Sequence, residues 1–144
     1  MIVGTMPKQI EYALMALAEM QSANPGHLFS ARELCDRHQV PFDVMSKTMQ
    51  RLCRAGILRS VQGKYGGYQI IRDLAALSLL ELMEAVLGDV ATVSCLKTGG
   101  DCPLAATCNV SGPMQVLDRK LRDLYAGLTV MELITAGSTC CCEV

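Results

Sequence analysis

The sequence predicts a mainly helical fold with one small β-hairpin: a winged helix-turn-helix followed by a long dimerisation helix. Three observations predict it. Two short helical patterns meet at Val40-Pro41, a glycine-rich turn separates two strand-like runs between Ile57 and Ile71, and apolar residues recur at helical spacing from Met114 to Leu128. At 144 residues, about half of them apolar, the chain is long enough to bury one real core.

The first helix runs from Lys8 to about Ala23. Ile10, Ala13, Leu14, Leu17 and Met20 recur at helical spacing, and Tyr12, Met15, Ala16 and Ala18 widen the apolar face. Asn24-Pro25-Gly26 ends it. Ser30-Ala-Arg-Glu33 reads as a capping box opening a second, short helix through Leu34, Cys35 and His38. Val40-Pro41 forces a turn, and a third helix follows from about Asp43, taken as its N-cap, to Ala55. Met45, Met49 and Leu52 face inward, which leaves Ser46, Lys47, Gln50, Arg51 and Arg54 outward, and Gly56 stops the helix.

Two short helices joined by a tight turn, the second presenting basic and amide side chains, describe a helix-turn-helix. Ile57–Val61 and Tyr68–Ile71 are strand-like around Gly63-Lys-Tyr-Gly-Gly67, a hairpin with a basic tip. The hairpin makes the unit a winged helix. Ser78-Leu-Leu-Glu81 is a capping box for a helix through Leu82, Met83, Val86 and Leu87 to Gly88. Later, Met114, Leu117, Leu121, Leu124 and Leu128 form a short heptad seam suited to pairing with a second copy, or to lying on the chain's own core. Thr129-Val-Met-Glu132 caps a last short helix.

The net charge of −1 hides a polarised distribution. Residues 1–73 carry nine Lys/Arg against six Asp/Glu, and residues 74–144 carry four against eight. Lys47, Arg51, Arg54, Arg59, Lys64 and Arg72 fall in a span from Val44 to Arg72 with no acid. That is a local basic surface across the third helix and the hairpin, the electrostatic footprint of duplex DNA. No stretch approaches the length of a membrane span and Met1–Lys8 lacks the pattern of an export signal, so a soluble cytoplasmic protein is expected.

Cys95, Cys102 and Cys108 lie within fourteen residues, in a segment with two glycines and a proline. Thiolates suit iron-sulfur clusters and zinc, and without an export signal clustered cysteines point to metal or redox chemistry rather than to disulfides. Cys35 and Cys53 fall inside helices and read as packing residues. Cys140-Cys141-Cys142 near the C-terminus read as an idle appendage, with soft-metal binding or thiol redox sensing as alternatives. Nothing pairs a nucleophile with a base or forms a phosphate loop, so neither an enzyme nor a small-molecule substrate is expected.

Taken together, the pieces resemble the Rrf-two family of iron-sulfur winged-helix transcription regulators, the IscR- and NsrR-like proteins. The resemblance rests on Tyr12-Ala-Leu-Met-Ala-Leu, Val40-Pro-Phe-Asp-Val-Met, Ala55-Gly-Ile-Leu, the wing Ser60-Val-Gln-Gly-Lys-Tyr-Gly-Gly-Tyr68, the three-cysteine loop, the long helix and Leu128-Thr-Val-Met-Glu-Leu. It implies a homodimer on double-stranded operator DNA and a two-iron or four-iron cluster ligated by Cys95, Cys102 and Cys108. The first cysteine gap, six residues, is one longer than is usual in the family. Where some members place a fourth-ligand His, this chain has Ser111. The resemblance then implies Glu11 of the partner subunit as fourth ligand, with His38 as runner-up. It divides the chain into a DNA-binding domain (1–88), a cluster loop (89–112), a dimerisation helix with a short C-terminal helix (113–136) and a cysteine-rich tail (137–144).

For base reading the expected residues are Asp43, Ser46, Lys47 and Gln50 on the third helix, with Gln62, Lys64 and Tyr65 on the wing. Arg51, Arg54 and Arg59 are expected on phosphates. Gln62 stands where family wings carry an Arg in the minor groove, which predicts a different operator preference. The expected function is a cluster-dependent transcriptional regulator, read as a repressor, that senses iron-sulfur status, nitric oxide or redox state. The competing readings are a small iron-sulfur electron carrier or scaffold, and a regulator whose cysteines hold structural zinc or act as thiol sensors.

Overall fold

The computed structural model describes residues 5–96 and 101–136. Six helices and one hairpin follow in the order α1 (Lys8–Ser22), α2 (Ala31–His38), α3 (Phe42–Arg54), β1 (Leu58–Val61), β2 (Gly67–Ile70), α4 (Leu79–Leu87), α5 (Ser111–Gly127) and α6 (Val130–Thr135), with a 3-10 turn at Ser94–Leu96 between α4 and α5. The winged helix expected from the sequence is present.

Local chemistry sets most boundaries. The Ser78 hydroxyl accepts from the Glu81 amide while the Glu81 carboxylate accepts from the Ser78 amide, a complete capping box. Thr129 and Glu132 repeat it at α6. At α2 the box is only half formed. Ser30 accepts from the Glu33 amide at 3.0 Å, but the Glu33 carboxylate takes the Arg37 guanidinium at 3.0 Å instead of closing the box. At α3 the N-cap is Pro41, with no side-chain cap, and Asp43 lies inside the first turn rather than at the cap. Proline's restricted φ suits a helix entrance, and an acid in the first turn favours the positive end of the helix dipole. The chain leaves α3 through Gly56 at φ +76, a left-handed position where glycine carries no steric penalty, with Ile57 N–H donating to Leu52 O at 3.0 Å.

α1 lies at the centre, against α3, α4, α6 and β2. Ile10, Ala13, Ala16 and Leu17 of α1 join Leu34, Met45, Met49, Leu52, Leu58, Leu77, Leu82, Val86 and Val130 in one buried core. The hairpin is antiparallel, pairing Leu58 with Ile70, Arg59 with Gln69, Ser60 with Tyr68 and Val61 with Gly67. It is anchored near its turn end, where Phe29 and Tyr68 exchange two backbone hydrogen bonds at 3.1 and 2.7 Å and the Phe29 side chain is buried. The C-terminal segment returns to the same domain, with Val130 N–H donating to Leu77 O at 2.8 Å and Met131 N–H to Leu74 O at 3.1 Å.

α5 differs from the rest. None of its residues is buried, and it packs on α4. Of the predicted seam, Met114, Leu121 and Leu128 are half-covered, whereas Leu117 and Leu124 are 41% and 57% exposed.

Candidate nucleic-acid interface and cysteine loop

Along α3, Asp43, Lys47, Gln50, Arg51 and Arg54 are exposed and Ser46 is half-buried, opposite the buried row of Met45, Thr48, Met49 and Leu52. Thr48 is kept off the surface by donating its hydroxyl to Val44 O at 2.8 Å. On the hairpin, Arg59, Gln62, Lys64 and Tyr65 are all exposed. The acid-free span is therefore a real surface of α3 and wing, but not all of its charge is unengaged. Arg51 donates to Val86 O at 2.5 Å, Arg59 donates to the Gln69 side-chain oxygen at 2.7 and 3.1 Å, and Arg72 pairs with Glu81 at 2.8 Å. Lys47 and Arg54 have no hydrogen-bond or ion-pair partner among the described residues. Lys64 has its ammonium 5.6 Å from the Tyr65 ring centroid.

Two further residues, Phe42 and Arg32, adjoin this surface. Phe42, the first residue of α3, is 45% exposed, and the Arg32 guanidinium of α2 sits 5.1 Å from its ring centroid. An exposed aromatic at the start of a recognition helix is suited to apolar contact with a thymine methyl. The aromatic directly after Pro41 is the one feature that points to it.

In the cysteine loop Cys95, Cys102 and Cys108 are free thiols, each half-buried, Cys95 within the 3-10 turn and the other two flanking a pair of turns closed by Ala105 N–H to Cys102 O and Thr107 N–H to Leu104 O. Soft, reduced and partly accessible, these donors are of the type an iron-sulfur cluster takes. Within one chain they are not assembled: no group of three or more His, Cys, Asp or Glu among the described residues is arranged around a common centre. Glu11 stands in the first turn of α1, paired with Lys8 at 2.8 Å. His38 ends α2 with its Nε2 buried, 3.5 Å from Glu19 Oε2 and without a hydrogen-bond partner. The 3.5 Å approach is ion-pair reach only, so the nitrogen counts as unsatisfied. Cys35 and Cys53 stand apart from this chemistry, because burial pushes both thiols up and keeps them protonated. Cys140, Cys141 and Cys142 lie outside the described residues.

The start of the loop is held by two side chains of α5 one turn apart. Asp118 accepts from the Thr92 amide at 2.7 Å and its hydroxyl at 3.0 Å; Arg122 donates to Val90 O at 2.5 Å and pairs with Glu84 of α4 at 2.9 Å. In sequence this pair looks like ordinary surface charge, since its partners lie more than twenty residues away. Beside it a groove of about 390 Å³ opens between Pro7, Leu87, Val90, Leu121 and Tyr125. No helix among the described residues is long and apolar enough to cross a membrane.

Known proteins share this fold. The chain is similar to the HTH-type transcriptional regulator IscR of Cereibacter sphaeroides, 31% identical over 103 residues that cover 70% of this chain and 62% of that one. In fold it is similar to CymR, the global cysteine regulator of B. subtilis, with a TM-score of 0.67 at 15% identity over 95% of this chain and 99% of the other. IscR of T. potens gives a TM-score of 0.65 at 13% identity, covering 92% and 87%. Its relatives are transcriptional regulators and not enzymes. The model of one family, Rrf2, described as an iron-dependent transcriptional regulator, matches residues 6–136, and the chain belongs to that family of helix-turn-helix transcriptional regulators.

Proposed function

We propose that the chain acts in the cytoplasm as a homodimeric repressor on double-stranded operator DNA. In this reading it senses iron-sulfur status, nitric oxide or redox state through a cluster held by Cys95, Cys102 and Cys108, with Glu11 of the partner subunit as fourth ligand and His38 as the alternative. The observation that carries it is the coexistence, on one chain, of three free thiols in a single loop and a basic surface on α3 and the wing, drawn from a span, Val44 to Arg72, that holds no acid. The IscR likeness supports the same reading. When bound, a two-iron or four-iron cluster supplies a centre that oxidants and nitric oxide modify.

The chain's own residues do the remaining work. In this reading Asp43, Ser46, Lys47 and Gln50 read base edges in the major groove and Arg54 meets phosphate, which the exposure of Asp43, Lys47, Gln50 and Arg54 and the partial exposure of Ser46 support. Arg51 and Arg59 are held by Val86 O and Gln69, so each reaches a phosphate from a pre-oriented position or by exchanging its partner. Gln62, Lys64 and Tyr65 extend the footprint along the wing. Because a dimer reads two half-sites at fixed separation, a small change in the angle between its two halves alters many contacts at once.

Anaerobic purification followed by absorption and Mössbauer spectra tests the cluster, on wild type, Glu11→Ala and His38→Ala, with duplex retention measured in parallel. An iron-sulfur spectrum that changes in Glu11→Ala is expected. A colourless, zinc-loaded chain overturns the cluster; an unaltered spectrum in Glu11→Ala removes Glu11 from the site. A second reading, a regulator that uses its thiols without a cluster, is favoured by the separation of the three cysteines within one chain and by the fold likeness to CymR.

A further inference from the structure

The wing ends in an aromatic that the fold does not use. Tyr65 is 84% exposed, the largest exposure among the exposed large hydrophobics, and stands in the turn that joins β1 to β2. Left in water, such a ring adds nothing to the core, so packing gives no reason for an aromatic there. The turn beneath it is stiff. Gly66 donates its N–H to Gly63 O at 3.1 Å, and a Cβ on Gly66 would lie 2.0 Å from Val61 O. A Cβ on Gly67 would lie 2.8 Å from Phe29 O, so β2 is pressed directly onto the Phe29 backbone where it leaves the turn. Tyr65 is thus a rigid projection, not the tip of a loose loop. Lys64 carries its ammonium beside the ring, and residues 58–71 contain no acid.

We infer that Tyr65 is a minor-groove wedge: its ring enters the groove flanking the half-site read by α3, partly unstacks one base step and bends the duplex toward the major groove, while Lys64 meets the adjacent phosphate. This rests on the DNA-binding reading above and names the class of site it takes. Apolar and aromatic side chains that wedge between base steps work best where stacking is weak, so the wedge selects a flexible pyrimidine–purine step, TA or CA, at a fixed offset from the half-site. A residue that only touched phosphate would be sequence-blind, and its hydroxyl rather than its ring would matter. Exposure favours the ring. The phenol makes no hydrogen bond among the described residues, and with the Lys64 ammonium over one face the other face of the 84% exposed ring is open.

The test uses the full chain and duplexes selected from a random 30-bp pool, about 30 bp being long enough for two half-sites one turn apart. 2-Aminopurine is then placed step by step through the flank, and bending is read by circular-permutation mobility. Expected is a rise in 2-aminopurine fluorescence at one TA or CA step and a bend, both lost in Tyr65→Ala and kept in Tyr65→Phe. Affinity in Tyr65→Ala should fall on the order of tenfold to a hundredfold. An exposed turn residue leaves the core intact, and far-UV circular dichroism of both variants checks this. If Tyr65→Ala binds the selected duplex with wild-type affinity, fluorescence and bend, or if Tyr65→Phe behaves like Tyr65→Ala, the wedge is overturned while DNA binding stands. If the pool yields no bound duplex, the DNA-binding reading falls and the wedge with it.

Discussion

Replacing Leu117 and Leu124 together by alanine strikes the open face of α5. Leu117 and Leu124 are 41% and 57% exposed, one heptad apart, on a helix with no buried residue. Fully burying a leucine stabilises by about 1.5–3 kcal/mol, and with roughly half of each side chain still open, covering them is worth about 1 kcal/mol apiece. In a two-fold interface every residue acts twice. The double variant therefore loses about 4 kcal/mol of association, on the order of a thousandfold in the dimer dissociation constant. Alanine is the best helix former, so the monomer keeps its helix. Sedimentation equilibrium across a wide concentration range reads the shift, with far-UV circular dichroism as the folding control. A dimer constant unchanged by the double variant, or a wild type that stays monomeric at high concentration, refutes the assignment of this face to a second copy.

Gly66→Ala should unseat the wing, because the new Cβ would lie 2.0 Å from Val61 O; duplex binding falls while helix content stays near wild type, and retained binding would show that the turn can open without loss. Lys64→Ala should weaken duplex binding and lower the slope of log affinity against log salt by about one, and an unchanged slope takes Lys64 off the phosphates. The Glu81 carboxyl is held below the ordinary carboxylate range, first by the Ser78 backbone N–H and then by the Arg72 guanidinium, with burial opposing. Its contribution is thus present above the unfolded carboxylate value and lost as pH falls through the lower folded value. The group is half-exposed and solvent-screened, so the effect is small: a shallow loss of thermal stability on acidification that Glu81→Gln should flatten, and identical acid limbs would contradict this. Arg122→Ala removes the bond to Val90 O and the pair with Glu84, which should cost about 1–2 kcal/mol in thermal unfolding and raise the alkylation rate of Cys95; an unchanged rate would show that the loop is held by other contacts.

What could be read in the sequence follows the range of the forces involved. Ser78 with Glu81 and Thr129 with Glu132 act across three residues, so their helices start where the caps predict. The α2 box failed in part because a tertiary competitor, Arg37, claims the Glu33 carboxylate, and no local pattern announces that. Asp43 is of a residue type that favours caps, yet Pro41 already turns the chain one residue ahead of the helix and leaves Asp43 in the first turn. Long-range pairing was the least visible. Arg51, Arg59 and Arg72 look alike in an acid-free run, but each meets a partner ten or more residues away or, for Arg72, nine residues on at Glu81. The cysteine spacing puts three thiols in one loop, yet among the described residues they are not gathered around a common centre, and no local pattern announces that.

The last turn of α4 ties these observations together. Val86 O accepts from Arg51 of α3, and Glu84 pairs with Arg122 of α5. Arg122 also holds Val90 O, five residues before Cys95, while Asp118 holds Thr92. A single helical turn therefore sits between α3 and the segment that leads into the thiols, with a charged hydrogen bond on each side. Such bonds are short-ranged and directional, stronger than neutral ones, and intolerant of displacement by even an ångström or so. The segment Val90–Thr92 is thus bonded to α5, α5 to α4 through Arg122 and Glu84, and α4 to α3 through Val86 O and Arg51. Arg51 matters here more as the lower end of that linkage than as one cation among six, which is why its loss should alter the response of DNA affinity to changes at the cysteines, whereas loss of Lys47 should alter affinity alone.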